Sequence, residues 1–366
     1  MKKTNPKIKI LYTISNFDTS GSGKVLYDLA KGLDKTKFEV EILAGNSKGI
    51  FFKEIENLGL PIYIRDARFP IRPFYNLIFR INPYRKFLSK QNFDIVHSWH
   101  WSSDWTEILA TRLAGSKFIY TKKAMSWGVI HWKIKSFLSN FIITINDEMK
   151  DYFPNKKHQK LIPLGIDTSF YNPDLFSKKP KSNFFRIITI ANLVPVKGIE
   201  ILIQSIYKLN NNKITLEIVG DTRDNYVKGL ENLIVELNLQ EQVFFSGKHI
   251  DVRPFLVNSD LFVIPTLNEG RKEGMPMALV EAMSMGISVL GSDISGINFV
   301  LKNFPELLFE ASNIEILTNK INQLYDKSEL ERNEIGNGLR AYCIQNFSMD
   351  MFIKKHEELY TKIAKR

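Results

Sequence analysis

The sequence predicts an α/β protein made of two doubly wound parallel-sheet domains. Short apolar runs of strand length alternate with amphipathic stretches of helix length over most of the chain. The runs are apolar on both faces, as strands of a parallel sheet covered by helices must be. The alternation starts afresh near Arg186, and 366 residues suffice for two cores at roughly 100–200 residues per domain.

In order along the chain, the expected strands of the first half are 7–14 (KIKILYTI), 38–44 (FEVEILA), 94–98 (DIVHS), 118–121 and 141–145. Amphipathic segments at 24–33 and 104–114 lie between them. The stretch 171–182 (YNPDLFSKKPKS) is rich in Pro, Lys and Ser and reads as a linker. The expected domains are thus 1–170 and 185–348, joined by 171–184. Strands of the second half are 186–191 (RIITIA), 215–219 (TLEIV), 243–246, 261–265 and 288–292, with helices at 199–209, 225–237, 276–284 and 314–325. Helical stretches 329–346 and 349–364 close the chain. In doubly wound sheets ligands bind beyond the carboxyl ends of the strands, so a cleft between two facing domains is the expected site.

Composition narrows the class. With 44% apolar and 24% charged residues the chain is an ordinary globular protein, not a disordered one. No run of 18 uncharged apolar residues is present to span a membrane as a helix. The apolar run in MKKTNPKIKILYTI is too short for a signal peptide. Cys343 is the one cysteine, which excludes an internal disulfide and thiolate metal clusters and fits a cytoplasmic location.

The net charge of +11 is unevenly spread. Residues 1–180 hold 29 Lys+Arg against 16 Asp+Glu, and residues 181–366 hold 21 against 23. A basic half beside a near-neutral one points to an anionic partner for the first. Its densest part carries Arg65, Arg68, Arg72, Arg80, Arg85, Lys86 and Lys90, interleaved with Phe69, Phe74, Tyr75, Phe79, Tyr84 and Phe87. All five tryptophans also lie in this half, between Trp99 and Trp132. Either these rings are core and the cations a solvated face, or the segment meets the headgroups of an anionic membrane. No nucleic-acid motif accompanies the charge, so no nucleic-acid partner is expected.

The strongest local signal is EGRKEGMPMALVEAMSMG at 269–286. It follows an apolar strand. Pro276 suits the first turn of a helix, where a missing N–H costs nothing. Glu273 then stands just before a helix N-terminus and Glu281 on that helix. Free N–H groups around Gly274 and Met275 would favour an anion, and carboxylates accept hydrogen bonds from sugar hydroxyls. A nucleotide-linked sugar matches that pairing. At the front of the chain, Gly21 and Gly23 follow the first strand and open a helix, where they would let backbone approach a phosphate.

This stretch resembles the Glu-x7-Glu region of glycosyltransferase family 4, retaining enzymes of the GT-B fold. Other pieces match in order: IPLGID at 162–167, ANLVPVKG at 191–198, Asp251, SDISG at 292–296, and the Gly21/Gly23 loop. The resemblance implies two Rossmann-like domains facing across a cleft, with the C-terminal helix returning to the first. It implies that Lys197 contacts the donor diphosphate, that Glu281 holds the ribose hydroxyls, and that Glu273, Gly274, Met275 and Pro276 hold the transferred sugar. A fixed cation and oriented N–H groups stabilise the charge that grows on a departing nucleoside diphosphate. No cofactor or metal is then required, and no Asp-x-Asp motif is present. The implied reaction is transfer from a UDP- or GDP-linked sugar, with retention, to a saccharide or lipid-linked acceptor of cell-surface polysaccharide or lipopolysaccharide assembly, at the cytoplasmic side of a membrane.

Two positions depart from the family pattern. Asn192 stands where arginine is common, so either Lys197 acts alone or Arg271 or Lys272 reaches in. Lys122 or Lys123 stands where a histidine near the reacting sugar is common. Lys123 could contact the reacting groups and Lys122 the acceptor, but a lysine is a poor base unless its pKa is lowered. His97 and His100, at the end of the expected strand 94–98, contact the acceptor or donor or pack the loop, and metal binding would need further ligands that the sequence does not suggest. Three rival functions remain. A sugar-nucleotide epimerase or hydrolase would use the same fold. A NAD-dependent oxidoreductase would need a third glycine where Leu26 stands. A two-lobed sugar-binding protein would normally carry a signal peptide. The lysine loop together with the Glu pair favours transfer.

Overall fold

The computed structural model describes residues 6–17, 20–49, 51–125, 128–177, 182–223, 225–270 and 274–365. The chain divides into two compact units, residues 1–165 with 349–366, and residues 166–348. By these boundaries the first unit carries 32 Lys+Arg against 17 Asp+Glu and the second 18 against 22, a sharper contrast than between the halves of the chain.

In the first unit β1 (Ile8–Ile14), α1 (Ser20–Gly32), β2 (Phe38–Ala44), α2 (Phe52–Glu56), β3 (Ile62–Ile64), α3 (Leu77–Gln91), β4 (Ile95–Ser98), α4 (Thr106–Leu113), β5 (Lys117–Lys122), α5 (Ile130–Leu138), β6 (Phe141–Thr144) and β7 (Gln159–Leu161) follow in turn. The strands form a seven-stranded parallel sheet in the order β3-β2-β1-β4-β5-β6-β7. The second unit runs β8 (Phe185–Ile190), α6 (Ile199–Leu209), β9 (Ile214–Val219), α7 (Asn225–Glu236), β10 (Val243–Gly247), α8 (Arg253–Val257), β11 (Leu261–Ile264), α9 (Met277–Ser284), β12 (Ser288–Ser292), α10 (Ile297–Val300), β13 (Leu308–Phe309), α11 (Ile314–Tyr325) and α12 (Glu329–Phe347). Its sheet is six-stranded and parallel, ordered β10-β9-β8-β11-β12-β13. The last helix, α13 (Met349–Ala364), belongs to the first unit.

Local sequence explains these elements. In α6 the buried side chains Ile199, Leu202, Ile203 and Ile206 fall at i, i+3, i+4 and i+7, one stripe of a helix. Each such aliphatic side chain contributes about 1.5–3 kcal/mol when buried. At the start of α12, Ser328 and Glu331 form a reciprocal capping box. The basic, aromatic stretch of the first unit resolves into two populations. Tyr84 is in the core and Phe69 and Phe87 pack against it, whereas Phe74, Tyr75, Ile78 and Phe79 are exposed.

Two close backbone approaches seat α13 on the first unit. A Cβ on Gly32 would stand 2.2 Å from Ile353 Cδ1, and one on Gly165 2.6 Å from Phe352 Cβ. A buried polar network completes the seat. The Tyr360 hydroxyl lies 2.7 Å from His97 Nδ1 and 3.0 Å from the Tyr12 hydroxyl. His97 Nε2 is 2.7 Å from Thr121 Oγ1. The His356 ring stacks near His97, with centroids 5.8 Å apart.

The expected linker is not free over its described part. Ile166 N–H donates to Phe347 C=O at 2.8 Å, so the chain leaves and re-enters the second unit at adjacent points. Arg340 donates to Tyr171 C=O and Asn172 Oδ1, and Ser284 Oγ donates to Tyr171 C=O. Arg253 donates to Phe170 C=O and covers its ring at 3.4 Å. Residues 166–177 are therefore part of the second unit, and the boundary falls at 165/166 rather than at 170. Residues 178–181 lie outside the described ones.

Burial holds the His97 imidazole well below its ordinary value and takes His356 down to about 4. In the unfolded chain both would titrate near 6.5. Their contribution is therefore intact above about pH 6.5 and is lost as pH falls towards the folded values, by up to about 1.4 kcal/mol per pH unit for each ring. The melting temperature of the first unit is expected to drop between pH 7 and pH 5, and His356→Phe to flatten part of that drop. Melting curves that superimpose over this range would contradict the neutral-histidine seat.

Candidate functional site

In the second unit the chain leaves β8 on one side of the sheet's switch point and β11 on the other. β11 pairs with β8 only at Leu261↔Ile187 and Phe262↔Ile188, so the carboxyl ends of the two strands part. Ligands of doubly wound sheets bind at such an opening. The turn after β8 and the turn after β11 are fastened to each other there. Leu267 N–H donates to Val196 C=O at 2.9 Å. Gly198 has φ +61°, and a Cβ on it would stand 2.3 Å from Pro265 O and 2.8 Å from Leu267 Cδ2. Only glycine fits that approach. Lys197, half-buried, ends the single turn Pro195–Lys197 that Gly198 terminates, and Asn192 is exposed at the start of the same loop.

The segment after β11 leads to α9. Pro276, at φ −76° and ψ 108°, stands immediately before the helix, one position earlier than its expected place in the first turn. It offers no side-chain cap, so the first N–H groups of α9 have no capping partner in Pro276. Gly274, Met275 and Pro276 are buried, and Glu281 is half-buried on α9. Glu273, Arg271 and Lys272 lie outside the described residues. Sequence reading missed Thr266. Its hydroxyl is fully buried beside the Leu267–Val196 bond and has no hydrogen-bond partner. A threonine at a strand end has no spacing signature that could have singled it out. Asp251 is paired with Arg253 through both carboxylate oxygens, which holds its carboxyl below the usual range.

In the first unit the switch point lies between β1 and β4. Gly21 and Gly23 fall in the first turn of α1; a Cβ on Gly21 would meet nothing within 4 Å, and one on Gly23 would touch Phe17 Cδ1 at 3.2 Å. His100, after β4, is buried, with Nδ1 2.9 Å from Ser15 Oγ and Nε2 without a partner. Burial first, then the charges of Lys135, Arg68 and Lys123, keep its ring neutral. His97 is a correction to the expected acceptor side. Both its nitrogens are engaged in the core network, leaving none for a ligand.

The two lysines after β5 separate. Lys122 is fully buried with Nζ 3.8 Å from the Trp132 ring centroid, and burial, aided by Lys135, lowers its pKa to about 7. Its ammonium is inside the unit rather than on an acceptor surface. Lys123 is half-buried and donates to Trp99 C=O at 2.6 Å, so in this structure it holds a loop. Two groups not anticipated stand beside them. Lys135 is buried, donates to Ser102 C=O at 2.9 Å, and has its pKa lowered by burial to about 8. Glu107, also buried, accepts from the Thr13 and Ser98 hydroxyls, and burial raises its pKa. Among the described residues, no group of three or more His, Cys, Asp or Glu could hold a metal ion.

Two parallel sheets of Rossmann type, with the turn that carries Lys197 fastened to the turn after β11 at the switch point of the second, make the two-domain architecture of the GT-B class. A family profile described as "Glycosyltransferase Family 4" matches residues 19–170, and one described as "Glycosyl transferases group 1" matches residues 172–341. The chain belongs to glycosyltransferase family 4 and is a glycosyltransferase. It is 27% identical to an Escherichia coli UDP-Gal:α-D-GlcNAc-diphosphoundecaprenol α-1,3-galactosyltransferase, covering 97% of this chain and 100% of the relative. It is 22% identical to a Campylobacter jejuni N,N'-diacetylbacillosaminyl-diphospho-undecaprenol α-1,3-N-acetylgalactosaminyltransferase, over 92% of this chain and 94% of that one. The fold is shared with a Rickettsia africae glycosyltransferase (TM-score 0.86, 20% identity, 99% of this chain and 100% of that one). It is also shared with Anabaena HepE in complex with UDP (TM-score 0.81, 19% identity, 97% and 100%).

Gly198→Ala and Gly21→Ala should behave oppositely. The first forces a Cβ into Pro265 O at a left-handed φ and is expected to lower the melting temperature by several degrees, at a cost of more than about 1–2 kcal/mol. The second adds a better helix former in open space and is expected to leave the melting temperature level or higher. Loss of activity in Gly21→Ala without loss of stability would mark close approach of a ligand to the helix start.

Proposed function

We propose that this glycosyltransferase moves a sugar from a UDP-linked donor, with retention, to a lipid-linked saccharide during cell-surface polysaccharide assembly. The observation that carries the donor assignment is the fastening of the Lys197 turn to the segment leading into α9, through the Leu267–Val196 bond and the glycine at 198. In this reading the Lys197 ammonium and the first N–H groups of α9 face the diphosphate as its charge grows on departure. Stabilisation that increases along the reaction is what accelerates it. Glu281 accepts from the ribose hydroxyls, and Glu273, with Gly274, Met275 and Pro276, holds the transferred sugar. Gly21 and Gly23 leave the start of α1 bare for an anionic group, and His100 and Lys123 serve the acceptor side. The acceptor attacks from the face the diphosphate leaves, and its proton passes to the departing phosphate oxygen. Every atom is then accounted for without a base from the protein.

The donor base follows the UDP named for the E. coli relative and bound in the Anabaena structure. The acceptor class follows the diphospho-undecaprenol saccharides named for two relatives. Lys197→Ala and Glu281→Ala are expected to abolish transfer while the melting curve without nucleotide stays as in the wild type. UDP should raise the wild-type melting temperature, since it binds the native state, and raise it less in either variant. Normal turnover in Lys197→Ala would refute the assigned role.

Association with the inner face of a membrane is part of the same reading. No described helix is long and apolar enough to cross a membrane. On α3 and the turn before it, Phe74, Tyr75, Ile78 and Phe79 are exposed among Arg72, Arg80, Arg85 and Lys86. Apolar rings beside cations suit an anionic headgroup layer. The chain is expected to sediment with phosphatidylglycerol vesicles at low salt, less at high salt, and less with Phe74 and Phe79 both changed to Ser. Equal recovery in the supernatant with and without vesicles would end this part of the proposal.

A further inference from the structure

We propose that Trp101 is the platform on which a pyranose ring of the acceptor stacks, an inference that rests on the reading of the acceptor as a saccharide. Trp101 lies in the turn that leaves β4, beside the switch point of the first sheet. It is 45% exposed, whereas Trp99 and Trp132 are 0% and 5%. A single exposed apolar residue is ordinary by itself. What distinguishes this one is how firmly its surroundings are held. On its N-terminal side Trp99 C=O accepts from Lys123 Nζ at 2.6 Å. On its C-terminal side Ser102 C=O accepts from Lys135 Nζ at 2.9 Å. The intervening His100 is anchored to Ser15 Oγ at 2.9 Å. Charge-assisted bonds of this kind are the strong ones. The Lys123 ammonium also stands 5.3 Å from the centroid of the Trp101 ring, which seats the indole as well as the backbone.

An aromatic ring fixed before its ligand arrives loses little freedom on binding. The ligand class follows from the chemistry of the ring. A pyranose presents axial C–H bonds on one face and hydroxyls around its rim. The apolar face matches an indole, and the rim needs polar neighbours. Ser102, Ser103 and Asp104 follow Trp101 directly in the chain. The same neighbours argue against a membrane anchor at this point. The exposed basic, ring-bearing surface is on α3, while at 101–104 the chain itself carries an acid and the two lysines that reach it are engaged with the carbonyls of Trp99 and Ser102.

The test uses the full chain as wild type, Trp101→Ala and Trp101→Phe. Saturation-transfer NMR is recorded with the methyl α-glycosides of Glc, Gal, GlcNAc and GalNAc, with and without UDP. At least one glycoside is expected to receive saturation from the wild type, not from Trp101→Ala, and again from Trp101→Phe, which keeps a ring. With a short-chain α-GlcNAc-diphospholipid as acceptor, Trp101→Ala should raise the acceptor KM roughly three- to tenfold. Its kcat and its UDP-induced rise in melting temperature should stay level. Equal signals from wild type and Trp101→Ala, or no signal from the wild type with any of the four, would overturn the platform. So would a Trp101→Ala variant whose defect is confined to vesicle binding. If UDP shifts the wild-type melting temperature by nothing while Trp101-dependent saturation persists, the donor reading fails and the platform stands.

Discussion

At Gly198 the chain turns with φ +61° while Pro265 O occupies the space a Cβ would need. That contact presses the start of α6 against the turn after β11, and the rest of the second unit's edge is arranged around it. Lys197 is one residue away, so its backbone inherits the rigidity of two adjoining strands. A second approach of the same kind, Gly220 against Ala191 O, fixes the neighbouring end of β9. Electrostatic stabilisation of a leaving group depends on charges that need not reorganise during the reaction. A lysine on a loose surface loop would first have to be ordered. Here packing orders the backbone that carries Lys197, which is what the proposed role asks of it.

The first unit reaches a rigid edge by another route. Beside a glycine contact, Gly45 against Ser15 O, it uses cations placed on carbonyls, Lys123 on Trp99 and Lys135 on Ser102. Burying an ammonium group is costly unless partners replace its water. Lys135 has a carbonyl, the face of Tyr120 at 4.3 Å and the charge of Glu107. Glu107 in turn takes two hydroxyl donors from the ends of β1 and β4. Lys122 has the ring of Trp132, and burial brings its titration close to neutrality. The interior beneath this edge is therefore a set of mutually dependent polar groups, whereas the second unit's core is dominated by aliphatic side chains.

Which features were legible follows from how local their causes are. KIKILYTI and FEVEILA read as strands because burial on both faces writes itself into consecutive residues. The edge strands Ile62–Ile64, Gln159–Leu161 and Leu308–Phe309 are too short to show a period. Helix α3 was hidden by Pro83 and by the cations around it, although Leu77, Ile81, Tyr84 and Leu88 mark its buried stripe. Without the helix phase, Tyr84 and Phe79 look alike; with it, one is core and the other faces out. The Glu273 and Glu281 spacing could be read because both residues fall within one short stretch of sequence. The role of His97 could not, since its partner Tyr360 is 263 residues away in the sequence. A buried lysine such as Lys122 has the same signature in sequence as an exposed one.

The charge contrast between the units bears on how each would meet an anion. The first unit's excess of basic residues gives it a field that acts beyond contact distance and raises the local concentration of anionic partners. The second unit, with 18 Lys+Arg against 22 Asp+Glu, carries no net positive charge. On the proposed reading, a diphosphate held there is recognised at short range, by the Lys197 ammonium and by backbone N–H groups that carry no net charge. Recognition of that kind is selective for geometry, because dipoles fall off faster with distance than charges do. It also lets product leave more readily than a strongly basic pocket would, since no long-range attraction opposes departure of a doubly or triply charged nucleotide. A transferase that must bind a nucleotide-linked sugar and then release the nucleoside diphosphate gains from that difference.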